Sequence, residues 1–83
     1  MVLRMSEQYL HESQLATFAK KMRLEAGKTR TEAARELKVS KPSLHHAEES
    51  PQKSYTKLRC RIIETYSDFK VTGPLYELSK KKD

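Results

Sequence analysis

Residues 29–49, TRTEAARELKVSKPSLHHAEE, restrict the chain more than any other stretch, because they hold two helix starts eleven residues apart with a short break between. Thr29 followed by Glu32 is the spacing of a capping box, so a helix should begin at Arg30. Its buried stripe is Ala33, Ala34 and Leu37, the spacing of a short amphipathic helix. Lys38 and Val39 break that pattern. Ser40 then offers a second cap, and Pro42 is tolerated just inside the new helix because first-turn amides need no intrahelical acceptor. The second helix buries Leu44 and Ala47. It turns Lys41, Pro42, Ser43, His45 and His46 outward or to its flanks. Small side chains at 33 and 34 allow two helices joined by three residues to meet closely, so the pattern predicts a helix-turn-helix.

Around this unit the periodicity predicts two longer helices. Leu15, Phe18, Ala19, Met22 and Ala26 recur at three- and four-residue steps over 13–26, and Gly27 is placed to end that helix. Lys20, Lys21 and Arg23 fall on or near its polar side. A loop at 50–54 precedes a helix over 55–66, capped by Ser54, with Tyr55, Leu58, Ile62, Ile63 and Tyr66 as its apolar set. Its other side is expected to carry Lys57, Arg59 and Arg61.

The segment GKTRTEAARELKVSKPSLHHAEE resembles the helix-turn-helix of the phage repressor and Cro family, the XRE class. The matching apolar and small positions are Ala33, Ala34, Leu37, Val39, Leu44 and Ala47, and the resemblance spans about residues 15–66. It departs at Lys38, where the family usually has Gly, and at Glu49-Ser50, where the family often has Asn-Gly. The resemblance implies a mainly α, Cro-like bundle of four or so helices. It also implies a structural ion pair between Arg23 and Glu48.

In such a fold the second helix of the motif lies in the DNA major groove, with its early residues at the base edges. The expected base-contacting residues are Lys41, Pro42, Ser43 and His46. Thr29, Arg30, Lys38, His45 and Lys53 are expected at the DNA backbone, Arg30 through a phosphate that also meets the amides of its helix N-terminus. A net charge of +6 agrees with a polyanionic partner.

The chain divides into an N-terminal arm at 1–12, the helix-turn-helix domain at 13–67 and a C-terminal strand or arm at 68–83. The N-terminal arm is expected to be loosely attached, although residues 2–5 can form a short strand and Ser6 can cap a helical turn through Glu7, Tyr9 and Leu10. The C-terminal segment alternates apolar and polar residues: Phe69 and Val71, then Tyr76 and Leu78. Thr72, Gly73 and Pro74 between them are turn material, so a strand pair or extended arm is expected. Two strands need cover, from a second copy or from the chain's own core.

Catalytic chemistry has no foothold in the sequence. His45 and His46 are adjacent and diverge by about 100° on a helix, so one metal cannot take both. Cys60 is the only cysteine, and a lone cysteine makes neither an intrachain disulfide nor a structural zinc site. No secretory signal or long apolar run is present. The expectation is a cytoplasmic, non-enzymatic, cofactor-free transcriptional repressor, binding an inverted-repeat operator in double-stranded DNA as a homodimer. Two alternatives remain open: an antitoxin-type regulator that clasps a toxin, and a protein-interaction module on a degenerate helix-turn-helix.

Overall fold

A computed structural model describes the backbone of residues 7–9, 12–72 and 77–80. The described chain is mainly helical, with a short strand, four helices and two further strands in order: β1 (Glu7–Tyr9), α1 (Glu12–Glu25), α2 (Arg30–Leu37), α3 (Lys41–Glu49), α4 (Thr56–Tyr66), β2 (Phe69–Thr72) and β3 (Glu77–Lys80). Among these, no helix is long and apolar enough to cross a membrane.

Local chemistry explains most of the boundaries. α1 ends at Glu25, and two residues on Gly27 turns the chain away with a φ of 74°, which glycine adopts at no steric cost. The Gly27 N–H reaches Leu24 O and the Lys28 N–H reaches Arg23 O, closing the helix end. α2 begins with the expected capping box: Thr29 Oγ1 accepts from Glu32 N, and the Thr29 N–H donates to Glu32 Oε1. Ser40 Oγ accepts from Ser43 N to start α3, with Pro42 in its first turn. Only Lys38, Val39 and Ser40 separate the two helices.

Lys38 closes α2 in the left-handed region, at φ 60° and ψ 46°. A side chain there costs about 1–2 kcal/mol, part of which glycine would return as unfolded-chain entropy. Lys38→Gly is therefore expected to raise stability by about 0.5–1 kcal/mol, read as a melting temperature higher by about 2–8 °C. A lower melting temperature would show that the lysine side chain stabilises the turn by more than its backbone strain costs.

The core gathers one stripe from each helix: Leu15 and Ala19, Ala33, Ala34 and Leu37, Leu44 and Ala47, and Leu58, Ile62 and Ile63. Ala26, expected on the apolar face, lies beyond the end of α1 and is exposed, whereas Ala16 is buried. α4 departs from expectation at its start. Tyr55 rather than Ser54 occupies the cap position, and no side chain caps the helix.

Arg59 departs further. Expected on the solvated side of α4, it is completely buried. It lies four residues before Ile63 and three before Ile62, on the inward stripe, and two bonds there replace water. Arg59 Nε donates to Ala47 O and Nη2 to Ser50 O, both at 2.7 Å. A neighbouring guanidinium, Arg61, donates to Leu37 O at 2.6 Å. α4 thus supplies donors to the free C-terminal carbonyls of both helices of the motif.

β3 lies between β1 and β2 and pairs antiparallel with each. The C-terminal strand pair expected from the alternation is present. Over Glu7–Tyr9 the N-terminal arm is neither loosely attached nor a helical turn, but a strand that takes the otherwise open edge of β3. The expected strand at 2–5, its neighbour Ser6, and the turn residues 73 and 74 lie outside the described residues. β2 docks on the helices: Phe69 meets Phe18 edge to face at 5.7 Å, and the Val71 N–H donates to Glu64 Oε2 on α4. The strand pair is therefore covered by the chain's own helices and by β1.

Candidate nucleic-acid interface

Arg30 opens α2, and three residues of turn bring the first turns of α3 beside it. A shallow depression open to solvent forms there, lined by Arg30, Lys41, Pro42, His45 and His46. Five of the residues expected at DNA thus share one surface. None of them is acidic.

Their freedom to bind differs. Lys41, Pro42 and His45 are exposed. His46 is half-buried; its ring stacks on Tyr55 at 6.0 Å and 21°, and Nδ1 lies 3.3 Å from Ser50 Oγ. No buried side-chain nitrogen or oxygen among the described residues lacks a partner, so His46 Nε2, which has none, reaches solvent. Ser43 is half-buried and its hydroxyl accepts from Ser40 Oγ at 2.8 Å, which leaves its own proton to donate. Tyr55 was assigned to the apolar set of α4; its stacking on His46 depends on the loop between α3 and α4 and had no sequence signal.

The expected backbone contacts are more scattered. Thr29, Lys38 and Lys53 are exposed but do not line the depression: Thr29 is used in its capping box, Lys38 closes α2, and Lys53 lies in the loop before α4. Arg30 lines it but is already engaged. Its Nε bonds Glu48 Oε1 at 3.1 Å and its Nη2 bonds Glu49 Oε2. The open guanidinium expected at this position is in fact held by two carboxylates from the end of α3.

Behind the surface, Arg23 grips Glu48 through both oxygens, at 2.7 and 2.9 Å, and both residues are buried. Arg23 Nη1 also donates to Lys28 O at 2.7 Å, at the turn that leads into α2. These bonds fix the end of α1, the start of α2 and the end of α3 relative to one another. Lys20, on the polar side of α1 as expected, keeps 39% of its side chain exposed and lies 2.6 Å from Glu49 Oε2. On the far side, Glu36 accepts from Lys28 Nζ at 2.9 Å and from the Tyr66 hydroxyl.

No protein-family model, curated protein or solved structure matches this chain. Function has to be argued from the surface itself. Among the described residues, no group of three His, Cys, Asp or Glu side chains could hold a metal ion.

The carboxylates of the surface network set its pH dependence. The Lys20 ammonium, followed by Arg30, holds the Glu49 carboxyl below its ordinary range. The Tyr66 hydroxyl, then Lys28, does the same for Glu36, and the Thr29 amide does it for Glu32. A depressed folded-state pKa stabilises the fold above the unfolded carboxylate pKa of about 4.3, and that contribution is lost as pH falls through the folded value. The melting temperature should hold steady from neutral pH to about 5 and then fall, with Glu49→Gln and Glu36→Gln converging on the parent protein in acid. Differences that persist undiminished at pH 2 would place their origin outside these ionisations.

Proposed function

We propose that this chain is a sequence-specific, double-stranded-DNA-binding transcriptional regulator of the phage repressor and Cro type. The observation that carries the reading is the depression between α2 and α3, walled by Arg30, Lys41, Pro42, His45 and His46 and by no carboxylate. A helix has the width of the major groove, and α3 offers it a chemically varied first turn. Lys41 can donate to guanine O6 or N7, Ser43 to a base or phosphate oxygen, and Pro42 can touch a thymine methyl. His46 adds one free ring nitrogen.

The flanks suit the phosphate backbone. The α2 N-terminus lies beside Arg30, and the α4 N-terminus lacks a side-chain cap and has Lys53, Ser54 and Lys57 around it. Helix N-termini and lysines of this kind position a duplex without reading it. One module makes few base contacts, so a homodimer on an inverted repeat supplies the remaining specificity. With β3 central in the sheet, an outer strand, β1 or β2, is the edge available to a second copy. Repression by occlusion, in the cytoplasm, is the role that a homodimer seated on its operator would serve.

Binding to a random duplex should weaken steeply with salt, with log K linear in log salt. Selection from a random oligonucleotide pool should return two half-sites spaced by about one helical turn. On selected sites, Lys41→Ala and His46→Ala should relax base preference at single positions, each by about 1–3 kcal/mol, and leave folding intact. Lys53→Ala should weaken all sequences alike. No salt-dependent affinity for any duplex would reject the reading in favour of a protein-interaction module. Stoichiometric capture of a toxin would favour the antitoxin alternative.

A further inference from the structure

Lys20 of α1 and Arg30 of α2 converge on one oxygen of Glu49, the last residue of α3. The three side chains are 39%, 27% and 34% exposed, so this cluster lies at the surface, next to the depression that Arg30 lines. Glu48 beside it is different. Its side chain is fully buried and gripped through both oxygens by Arg23, so it cannot leave. Glu49 can swing out, because solvent already reaches it and, among the described residues, Lys20 and Arg30 are the cations that hold it. A DNA phosphate carries the same charge as that carboxylate and accepts the same hydrogen bonds from ammonium and guanidinium groups.

We propose that Glu49 is a built-in phosphate surrogate: it occupies Lys20 and Arg30 in the free protein and is displaced by a backbone phosphate when a duplex docks against α3. Glu49 thereby sets affinity at the surface assigned above, and the inference rests on that assignment. Phosphates are the same in every sequence, so the displacement weakens binding to all duplexes equally and leaves base preference untouched. Lys20, whose place on the polar side of α1 suits either solvent or a phosphate, joins the DNA-facing set through this exchange.

The test compares the parent chain with Glu49→Gln on a random duplex and on a selected site, by fluorescence anisotropy over a range of salt concentrations. Two surface ion pairs released together should tighten binding by about three- to tenfold at 0.1 M salt on both duplexes. Both proteins contact the same phosphates once bound, so the salt slope should differ from the parent's by less than about 0.9, the value of one whole phosphate contact. In a Lys20→Ala, Arg30→Ala background the same substitution should gain less than about twofold, because the held cations are gone. Asp68→Asn, an equal charge change outside the cluster, should also gain less than about twofold. The melting temperature of Glu49→Gln should stay within about 8 °C of the parent, which separates the effect from misfolding.

Equal affinities for the parent chain and Glu49→Gln, with both binding DNA, would overturn the surrogate and leave the DNA assignment standing. An undiminished gain in the Lys20→Ala, Arg30→Ala background would also overturn it, by reducing it to a general charge effect. Binding by neither protein would remove the DNA assignment itself, and the surrogate with it.

Discussion

Arg59→Ala is expected to lower stability by about 3–5 kcal/mol, a large part of what a domain of this size possesses. The side chain is completely buried, and its bonds include two of 2.7 Å to Ala47 O and Ser50 O at the end of α3. Each hydrogen bond from a charged donor contributes about 1.5–3 kcal/mol, and the truncated side chain also leaves a cavity that the helices close only in part. Far-UV circular dichroism should show a melting temperature lower by roughly 15–25 °C. Arg59→Met restores volume but no donor, so it should recover only the packing share. Arg59→Lys keeps one donor group without the fork that reaches both carbonyls, and should fall between Met and the parent. A melting temperature of Arg59→Ala within a few degrees of the parent would mean that water serves those carbonyls as well as the guanidinium does.

By charge alone this residue belongs on the solvated face of its helix, and packing overrides that placement. Charge is a good proxy for exposure when a side chain has only water to turn to. It fails when tertiary packing brings an acceptor that the sequence does not announce. The carbonyls at the end of α3 are such acceptors, since every helix has them and none is marked by residue type. A weak signal was available: Arg59 falls three and four residues before Ile62 and Ile63, on their stripe rather than opposite it.

Where the determinants are local, the sequence was far easier to read. Thr29 with Glu32, Ser40 with Pro42, and Gly27 set helix ends through contacts within four residues, and the helices start and stop where these residues place them. The strands were half legible for the same reason. Alternation marks β2 and β3, but β1 is recruited only because β3 has an open edge, a long-range event without a local pattern. At the candidate interface, position on α3 was readable from the helix period. The occupancy of Arg30 was not, because its partners lie eighteen and nineteen residues away.

The buried Arg23–Glu48 pair should show the opposite energetics from a surface bridge, and a set of three variants separates them. Glu48→Leu leaves Arg23 buried without its carboxylate and should cost about 3–5 kcal/mol. Arg23→Met should cost a similar amount, since Glu48 then keeps only the 3.1 Å contact from Arg30, and Lys28 O loses its donor. The combined Arg23→Met, Glu48→Leu chain removes both charges together and fills the space with apolar groups of similar size, so it should recover at least half of either loss. The coupling follows from the desolvation that each ion undergoes: the partner compensates for it, and without the partner nothing does. Additive losses in the combined chain would instead assign the stabilisation to each residue's separate bonds, chiefly the one from Arg23 to Lys28 O. The pair also holds α3 against α1, so on a selected duplex the combined chain should keep its base preference if packing alone can place the helix. Under the proposed DNA-binding role, loss of that preference at full stability would show that the ion pair, beyond holding the fold together, sets the angle at which α3 would meet a groove.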